Sequence, residues 1–252
     1  VRLARNLNDQ PFTVRSGPED NQVVLDQVER ASRASRQLHD APLIRIDHLQ
    51  GNERQLLHER HLISRELAEL GDDGRVRTAA ALLTDGCVGM MVNEEDHLRL
   101  QCLKSGFSLE EAYSDLERLD ADIGAQLGFA FHEEFGYLTS SPTNAGTGLR
   151  ASVLIHLPGL VLTKEIAKVL QGLSQVGLTF RGLYGEGSEV VGNFFQLSNQ
   201  TTLGKSEGEL LEHLGDMVRK VIEYEQQARH VLQRDAPTVI ADKVWRAYGL
   251  LK

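Results

Sequence analysis

Apolar residues recur every three to four positions in five segments, which predicts five helices. These segments are residues 18–38, 108–127, 163–176, 206–233 and the stretch after Pro237. Ser108 stands directly before the second segment and Glu111 follows three residues later, which is the sequence pattern of a capping box. The motif Asp235-Ala-Pro237 separates the last two helices, because proline cannot continue a helix.

Between these helices, short apolar or alternating runs predict strands. They cover residues 42–49, 79–84, 87–92, 97–103, 149–157, 178–184 and 193–199. Short loops join most of them, which is typical of neighbouring antiparallel strands. Because few strands alternate with crossover helices, the pattern predicts an α+β fold in which helices flank an antiparallel β-sheet core. The chain has 252 residues and shows no internal repeat or linker, so we expect a single domain over residues 1–252.

The overall charge excludes some classes of partner. The chain carries 27 Lys and Arg against 36 Asp and Glu, which gives a formal net charge of −9. This balance argues against binding to nucleic acid or to anionic membranes through bulk charge. No apolar run approaches the roughly 18 residues of a membrane-spanning helix, and no signal peptide opens the chain. We therefore expect neither nucleic acid nor a membrane among its partners.

The cysteine content indicates the redox compartment of the protein. The first residue bears on whether the sequence is a piece of a longer protein. Cys87 and Cys102 are the only cysteines, and their spacing matches neither a zinc site nor a disulfide framework. A reducing compartment is therefore the default, and we expect a cytoplasmic protein. The chain begins with Val1 rather than Met, within what looks like a motif, so we expect it to be a piece of a longer protein.

Four segments contain more polar residues suited to chemistry than a structural role requires. They are VRLARN at 1–6, NEEDHLRL at 93–100, TSSPTNAGTGLRAS at 139–152 and RGLYGEGSEVVGN at 181–193. Considered one at a time, each also fits an ordinary role as a basic strand, a solvated turn, a glycine-rich turn or a hairpin connection. The glycines of the fourth segment also allow a mobile loop that brings Glu186 or Glu189 over a substrate. Considered alone, His61 fits an ordinary surface or packing histidine.

The second and third segments contain groups that could bind a cation and an anion. In the second segment, the period of two expected for a strand puts Glu95, His97 and Arg99 on one face. A carboxylate and a guanidinium on the same face can bind a cation and an anion side by side. In the third segment, glycines and small hydroxylated residues let backbone N–H groups approach a phosphate, with Arg150 at the start of the next strand. The segment lacks the Gly-Lys-Ser/Thr ending of a Walker loop.

Taken together, the order and spacing of these segments resemble the catalytic domain of the phosphagen (guanidino) kinases, and more narrowly the bacterial protein-arginine kinases. The matching runs are VRLARN, NEEDHLR, GYLTSSPTNAGTGLRASV and RGLYGEGSEVVGNFFQLSNQTTLG. The resemblance extends over essentially the whole chain. It implies the α+β fold of that catalytic domain. It also implies transfer of the γ-phosphoryl group of MgATP to a guanidinium nitrogen.

The resemblance implies that arginines hold the nucleotide. It assigns Arg2, Arg99 and Arg150 to the phosphates, which suits a planar and permanently charged guanidinium. It places His61 against the adenine. Further nucleotide-contacting positions are Ala151, Ser152, Val153, Leu154, Arg181, Gly182, Leu183, Tyr184, Gly185 and Glu186. No side chain is expected to ligate a metal, because Mg²⁺ is expected through the ATP phosphates.

The resemblance also assigns the acceptor side of the reaction. Glu95 and Glu189 match the two carboxylates that grip the acceptor guanidinium, and Glu95 is the better candidate to take its proton. Tyr184 stands where metabolite-specific guanidino kinases have an arginine, which favours the protein-kinase branch. Ser141 stands at the position of the family's reactive cysteine. Because a hydroxyl is neutral at pH 7, Ser141 predicts a weakened kinase.

The resemblance implies that the substrates are arginine side chains of proteins, marked for regulated degradation or for relief of stress-response repression. It implies an activator protein, an ATP-dependent protease and, in the full-length protein, a homodimer. The start of the first motif and the family's C-terminal region are absent from the chain. Two alternatives stay open: a small-molecule guanidino kinase acting on free arginine, and a nucleotide- or arginine-binding module weakened by Ser141.

Overall fold

The computed structural model describes residues 1–69, 78–84, 87–182 and 192–252. These residues divide into two units. The first comprises Val1–Ala151 and Gln200–Leu211, and the second comprises Ser152–Asn199 and Glu212–Lys252. The expectation of one domain over residues 1–252 stays a prediction.

A six-stranded antiparallel sheet forms the centre of the first unit. The strands of this unit are β1 (Arg2–Arg5), β2 (Leu43–Arg45), β3 (Ala80–Leu83), β4 (Val88–Val92), β5 (Leu98–Cys102), β6 (Phe131–His132), β7 (Gly136–Tyr137) and β8 (Leu149–Arg150). β6 and β7 form a separate hairpin, and the other six pair in the order β2-β3-β4-β5-β1-β8. Because β1 lies between β5 and β8, the first predicted motif becomes the neighbour of the second and third.

One face of this sheet is aliphatic. The direct cross-strand partners Leu149, Leu3, Leu100, Met90 and Leu82 form a continuous row over five strands, and each is at most 2% exposed. The helices of the unit are α1 (Pro18–Ala34), α2 (Gly51–Glu59), α3 (Arg65–Ala68) and α4 (Leu109–Gly124). α1 and α4 cover the aliphatic face with their buried apolar residues. Burying a leucine side chain stabilises the fold by about 1.5–3 kcal/mol, so this layer is the main support of the sheet.

The opposite face is apolar at one end and polar at the other. Ala81 and Met91 pack there with Ile63 and Leu67, the latter from α3. Beyond them, on β5, β1 and β8, the same face carries charged side chains. This polar half of the face carries the predicted site residues Arg2, Arg99 and Arg150.

The second unit contains a three-stranded antiparallel sheet and four helices. Its strands are β9 (Ser152–His156), β10 (Leu178–Arg181) and β11 (Phe194–Asn199), paired in the order β10-β11-β9. Its helices are α5 (Pro158–Leu162), α6 (Ile166–Gln175), α7 (Glu207–Asp235, of which Glu212 onward belongs to this unit) and α8 (Pro237–Leu251). The buried Glu225 carboxylate accepts hydrogen bonds from the N–H groups of Gly159 and Leu160 at 2.8 and 2.9 Å, which satisfies the start of α5.

The structure confirms the predicted fold class, an antiparallel sheet flanked by helices, and it corrects four local predictions. The strand predicted over 149–157 is broken at Ala151, so β8 and β9 belong to different sheets. The run 42–49 is β2 followed by a turn of 3₁₀ helix. Residues 51–59 form α2 where no helix was expected. Ser108 is the N-cap residue of α4, but its side chain makes no capping hydrogen bond, so the capping-box prediction is wrong.

Among the described residues, no helix combines the length and hydrophobicity that crossing a lipid bilayer requires.

Candidate active site

Three arginines lie on one face of the first sheet, on the adjacent strands β5, β1 and β8. Arg2 is directly opposite Arg150 in the β1–β8 pair. Arg99 is opposite Ala4, two residues along β1 from Arg2, so its side chain emerges on the same face. Directly opposed Cβ atoms are about 5 Å apart and diagonal ones about 7–8 Å. All three guanidinium groups are therefore within reach of one polyanion.

A buried carboxylate offsets the repulsion among these cations. Arg99 donates through Nη1 to Glu94 Oε1 at 2.6 Å, and the Glu94 side chain is only 4% exposed. Breaking a buried ion pair by removing one partner leaves an uncompensated charge and costs about 3–5 kcal/mol. Sequence patterns did not single out Glu94, although it lies within the NEEDHLR motif.

The surroundings of Glu94 keep it ionised. Burial acts to raise the pKa of Glu94, but favourable contacts outweigh burial and lower the pKa to about 2. These contacts come from the Arg99 guanidinium, the Ser64 hydroxyl, the Glu95 backbone N–H and the charge of Arg2. Glu94 is therefore a permanent anion beside the arginines at neutral pH.

Glu95 is exposed and faces a small pocket on the polar half of the sheet face. The lining includes Arg2, Glu94, Glu95, Arg99, Asn144 and Gly148. Asn144 donates through Nδ2 to the Glu95 carboxylate at 3.4 Å, and the Glu95 backbone carbonyl accepts from the Thr13 hydroxyl. Partial desolvation, together with the charges of Asp96 and Glu94, raises the pKa of Glu95. A raised pKa makes this carboxylate a stronger base than an ordinary glutamate.

Asp96 ties three predicted motifs together at the pocket. Its Oδ1 accepts from Asn6 Nδ2 and from the Ser140 backbone N–H, each at 2.6 Å. Asn6 in turn accepts the His97 backbone N–H at 2.8 Å. Burial raises the pKa of Asp96, against the effect of these hydrogen bonds. These hydrogen bonds of Asp96 to Asn6 and Ser140, called the Asp96 hub below, fix the position of Glu95 relative to the loop that follows β7.

The predicted common face of Glu95, His97 and Arg99 is wrong. β5 begins at Leu98, so the two-residue alternation does not extend back to Glu95. His97 is fully buried: its Nδ1 accepts from the Leu7 N–H at 3.0 Å, and its Nε2 lies 3.0 Å from the Pro11 carbonyl. Burial lowers the pKa of His97, which keeps it neutral. His97 therefore has a structural role, and Glu94 is the carboxylate that contacts Arg99.

The glycine-rich loop at 139–148 uses its backbone groups within the protein. Thr202 donates to the carbonyls of Thr143 and Ala145 at 2.9 and 2.6 Å, and its own carbonyl accepts the Thr147 N–H at 3.0 Å. Gly148 has φ of +66°, and an added Cβ would lie 2.6 Å from the Ala4 carbonyl. The glycine therefore permits a close approach to β1, and the loop supports the site rather than enclosing a phosphate as a Walker loop does.

Ser141 lies in this loop, next to the Asp96–Ser140 hydrogen bond. Its Oγ is 2.8 Å from the Thr143 Oγ1, and its carbonyl accepts from the Thr139 hydroxyl at 2.7 Å. In the sequence, Glu95 is next to Asp96, and Ser141 is next to Ser140. The hub thus holds two of the predicted catalytic positions in one region.

The loop that contains His61 is attached to the arginine face. Gln101, directly opposite Arg2 in the register, donates through Nε2 to the carbonyls of His61 and Leu62 at 3.2 and 3.1 Å. His61 adopts the left-handed conformation with φ of 57°. Partial desolvation and neighbouring His58 lower the pKa of His61, so the ring is neutral and suited to contact with an aromatic base.

The other predicted nucleotide contacts are distributed between the units. Ala151 is fully buried at the end of the first unit. In the second unit lie Ser152, Val153 and Leu154 on β9, Arg181 at the end of β10, and the following Gly182. Ser152 Oγ is 2.9 Å from Ser198 Oγ. Five predicted positions fall outside the described residues: Leu183, Tyr184, Gly185, Glu186 and Glu189.

The residues present fit a polyphosphate. Arg99 Nε is buried and has no hydrogen-bond partner in the described part of the chain, so a donor remains for an anionic oxygen. The site residues that the sequence alone did not indicate are Glu94, Asp96, Asn6, Gln101, Asn144 and Thr202. All lie within or beside the quoted motifs, but only the tertiary contacts reveal what each one holds. A larger cleft beside α1 contains none of the predicted site residues.

Replacing Glu94 with Gln should remove an acid-sensitive source of stability. The folded pKa of about 2 lies below the ordinary 4.5, so this contribution is present above pH 4.5 and is lost as the pH falls towards 2. Urea unfolding from pH 6 to pH 2 should show the free-energy difference between wild type and Glu94→Gln shrinking by on the order of 3 kcal/mol. A difference that does not change with pH would contradict this assignment.

Comparison with known proteins agrees with the resemblance to the guanidino kinases over most of the chain. Residues 23–228 match the family model described as ATP:guanido phosphotransferase, C-terminal catalytic domain. The whole chain aligns with 70% of the protein-arginine kinase of Pelotomaculum thermopropionicum at 47% identity. It aligns over the same shares with the protein-arginine kinases of Brevibacillus brevis at 45% and Bacillus cereus at 42% identity.

Solved structures of similar fold are also guanidino kinases. Lombricine kinase superposes with a TM-score of 0.77 at 22% identity, covering 91% of this chain and 65% of its own. The duplicated taurocyamine kinase of Schistosoma mansoni superposes with a TM-score of 0.79 at 23% identity, covering 92% of this chain and 33% of its own. These identities support the fold, while the family match and the sequence relatives support membership: the chain belongs to the ATP:guanido phosphotransferase family.

Proposed function

We propose that this chain is the catalytic part of a protein-arginine kinase, which transfers the γ-phosphoryl group of ATP to the guanidinium group of arginine side chains in proteins. The observation that carries the proposal is the juxtaposition of three phosphate-binding candidates, Arg2, Arg99 and Arg150, with the basic carboxylate of Glu95. Relatives of that name align over the entire chain.

On the nucleotide side, the arginines would hold phosphate oxygens and offset the charge that moves during transfer. Phosphoryl transfer depends mainly on positioning and electrostatic stabilisation, which fixed guanidinium groups supply. The partly buried Arg99 is held through Nη1 by Glu94, so it can present its Nε donor in one orientation. Mg²⁺, which we expect to bind through the phosphate oxygens, would neutralise part of their charge.

On the acceptor side, Glu95 would orient the incoming guanidinium and take its proton. An arginine side chain is protonated at neutral pH and is a poor nucleophile until it loses that proton. As the new N–P bond forms and the bond from the γ-phosphorus to the β-bridging oxygen breaks, the proton would pass to the Glu95 carboxylate. Asn144 and the Asp96 hub keep this carboxylate in place. We propose Glu189 as the second carboxylate on the acceptor.

Two observations favour a protein substrate over free arginine. Tyr184 occupies the position where metabolite-specific guanidino kinases carry an arginine, and the sequence relatives are protein-arginine kinases. We extend the proposal to His61 at the adenine and to the nucleotide contacts of residues 151–154 and 181–186. A cytoplasmic location, a stress-response role, an activator protein, an ATP-dependent protease and a homodimer of the longer protein are further parts of the proposal.

Ser141 favours a second candidate function, a nucleotide- or arginine-binding module with little turnover. Mass spectrometry for acid-labile phosphoarginine distinguishes the candidates after incubation with MgATP and an arginine-rich unfolded protein. Phosphoarginine on the protein, with little ADP release from free L-arginine, is the expected result. ATP binding without phosphoarginine would favour the binding module, and efficient use of free L-arginine would favour a metabolite kinase.

Glu95→Ala should lower phosphoryl transfer by about 10²–10⁴-fold, because it removes the general base. Its ATP affinity should stay nearly unchanged, since Glu95 faces the acceptor. Glu110→Ala is the matched control, because Glu110 is exposed on α4, which covers the aliphatic face. Calorimetric ATP binding and phosphoarginine formation measure the two effects. A tenfold loss of ATP affinity with normal turnover would contradict the assigned role.

Arg99→Ala should weaken ATP binding by about 10–100-fold, because it removes a charge-assisted hydrogen bond to phosphate. Arg99→Lys should restore little of the ATP affinity, since the compact ammonium of lysine does not replace a planar guanidinium with several donors. Arg33→Ala, at a 72% exposed position on α1, controls for net charge. Melting temperatures would show whether loss of the Glu94 pair unfolds the variant. Full rescue by lysine would contradict direct phosphate contact.

Ser141→Cys should raise turnover by on the order of 10- to 1,000-fold, because a thiolate adds negative charge beside the acceptor guanidinium. The ATP affinity should change little, since the serine side chain contacts Thr143 of its own loop. The gained activity should be sensitive to thiol alkylation, and wild type, which retains Cys87 and Cys102, is the control. Equal turnover of the two proteins at saturating MgATP would show that the hydroxyl suffices.

A further inference from the structure

The only two cysteines of the chain lie side by side in the first sheet. Cys87 directly precedes β4 and Cys102 ends β5, and their Sγ atoms are 3.2 Å apart. Cys102 is 1% exposed, whereas Cys87 is partly exposed. The sequence spacing of 15 residues did not indicate this contact. The contact arises because β4 and β5 form one hairpin.

The backbone around the pair suits a disulfide bond. Val88 is the cross-strand partner of Cys102, and the Leu103 N–H donates to the Cys87 carbonyl at 2.8 Å. Cys87 and Cys102 are therefore offset by one residue across neighbouring strands. Cys87 lies just outside β4, so its side chain is not bound to the strand alternation, and the two Sγ atoms already lie 3.2 Å apart. A disulfide needs an S–S distance of about 2.05 Å, so the sulfurs must approach by only about 1.2 Å.

We propose that Cys87 and Cys102 form a reversible disulfide when the protein meets a peroxide, and that this bond closes the open end of the β4–β5 hairpin. The closed end of the same hairpin carries Glu94 and Glu95. The bond would therefore hold the strand that presents Arg99 against its neighbour. In a reducing compartment, such a bond forms transiently and serves protection or sensing.

The two cysteines differ in exposure and therefore have different roles. Cys87 Sγ lies 3.6 Å from Asp115 Oδ2, which also binds the Lys104 ammonium at 2.6 Å. The hydrogen bond from Lys104 lowers the pKa of Asp115, so this carboxylate stays ionised and accepts the Cys87 S–H. Because Cys87 is partly exposed, peroxide reaches it before the buried Cys102. Burial raises the pKa of Cys102 to about 12, so this thiol stays protonated until it reacts. Cys87 is thus the thiol that reacts with peroxide, and Cys102 is the resolving thiol.

The oxidation balances with the peroxide as the only added reagent. The Cys87 sulfur attacks one peroxide oxygen, the O–O bond breaks, and the departing hydroxide takes the Cys87 thiol proton, which leaves Cys87 sulfenic acid and water. The Cys102 sulfur then attacks the Cys87 sulfur, the S–O bond breaks, and the departing hydroxide takes the Cys102 proton as water. The two sulfurs lose two electrons in total, which reduce one peroxide to two waters. A dithiol reductant reverses the change by thiol–disulfide exchange.

A metal site is the alternative use of this cluster. Cys87, Cys102 and Asp115 are the one group in the described residues whose ligand atoms could surround a metal ion. However, both Asp115 oxygens already contact cations, Lys104 at Oδ2 and Arg118 at Oδ1. A structural zinc site also needs four ligands, of which the cluster offers three. The chemistry therefore favours the disulfide.

Intact-mass spectrometry of the folded chain, treated with hydrogen peroxide and then with an alkylating reagent, tests the proposal without reference to kinase activity. We expect a mass decrease of about 2 Da, no alkylation of either cysteine, and reversal by dithiothreitol. The melting temperature should rise by about 5 °C or more, because the bond closes a loop of some 15 residues. Cys87→Ser and Cys102→Ser should show neither change.

Asp115→Asn should speed disulfide formation several-fold, since it removes a negative charge beside the attacking Cys87 sulfur and leaves the Lys104 ammonium nearby. Glu111→Gln is the matched control, because Glu111 is exposed one turn earlier on α4, and it should leave the rate unchanged. Accumulation of sulfinic acid on Cys87, disulfide-linked dimers, or two freely alkylated cysteines after peroxide would overturn the proposal. Retention of added zinc by wild type, with loss of binding in both serine variants, would also overturn it.

Discussion

The buried ion pair between Glu94 and Arg99 is the interaction on which the candidate site depends. Arg2, Arg99 and Arg150 repel one another on one sheet face, and a partly buried guanidinium cluster without an anion would be costly. Glu94 supplies that anion at the pocket, 2.6 Å from Arg99. In the described part of the chain, the Nε donor of Arg99 remains available to a ligand. The pair therefore stabilises a binding surface for anions without filling it.

The geometry around this pair depends on a second buried carboxylate, Asp96. By accepting from Asn6 and from the Ser140 backbone, Asp96 joins the end of β1, the β4–β5 turn and the loop before β8. Reactions that rely on positioning lose much of their rate when a group moves by about 1 Å. The polar network therefore gives Glu95 a fixed place beside the arginines, although its carboxylate itself is exposed.

Much of this fold and site could be predicted from the sequence, and the exceptions have physical reasons. Periodicity predicted most helices and strands, and the motifs predicted Arg2, Glu95, Arg99 and Arg150 in one region. Alternation failed at His97, because the hairpin turn ends the extended backbone before β5 begins. The break at Ala151 leaves no compositional signal, since neither glycine nor proline interrupts residues 149–157. Contacts such as Glu94 with Arg99, or Cys87 with Cys102, depend on strand register, which local patterns do not specify.

Recognition of nucleotide phosphates by the arginine face is tested most directly by the affinity of the wild-type chain for ATP, ADP and AMP. Calorimetry at low and high salt measures it. Each lost phosphate should weaken binding by about tenfold or more, since a hydrogen bond to a charged group contributes about 1.5–3 kcal/mol. ATP affinity should also fall as salt screens the charges. Equal affinities for ATP and AMP, unaffected by salt, would contradict phosphate recognition by this face.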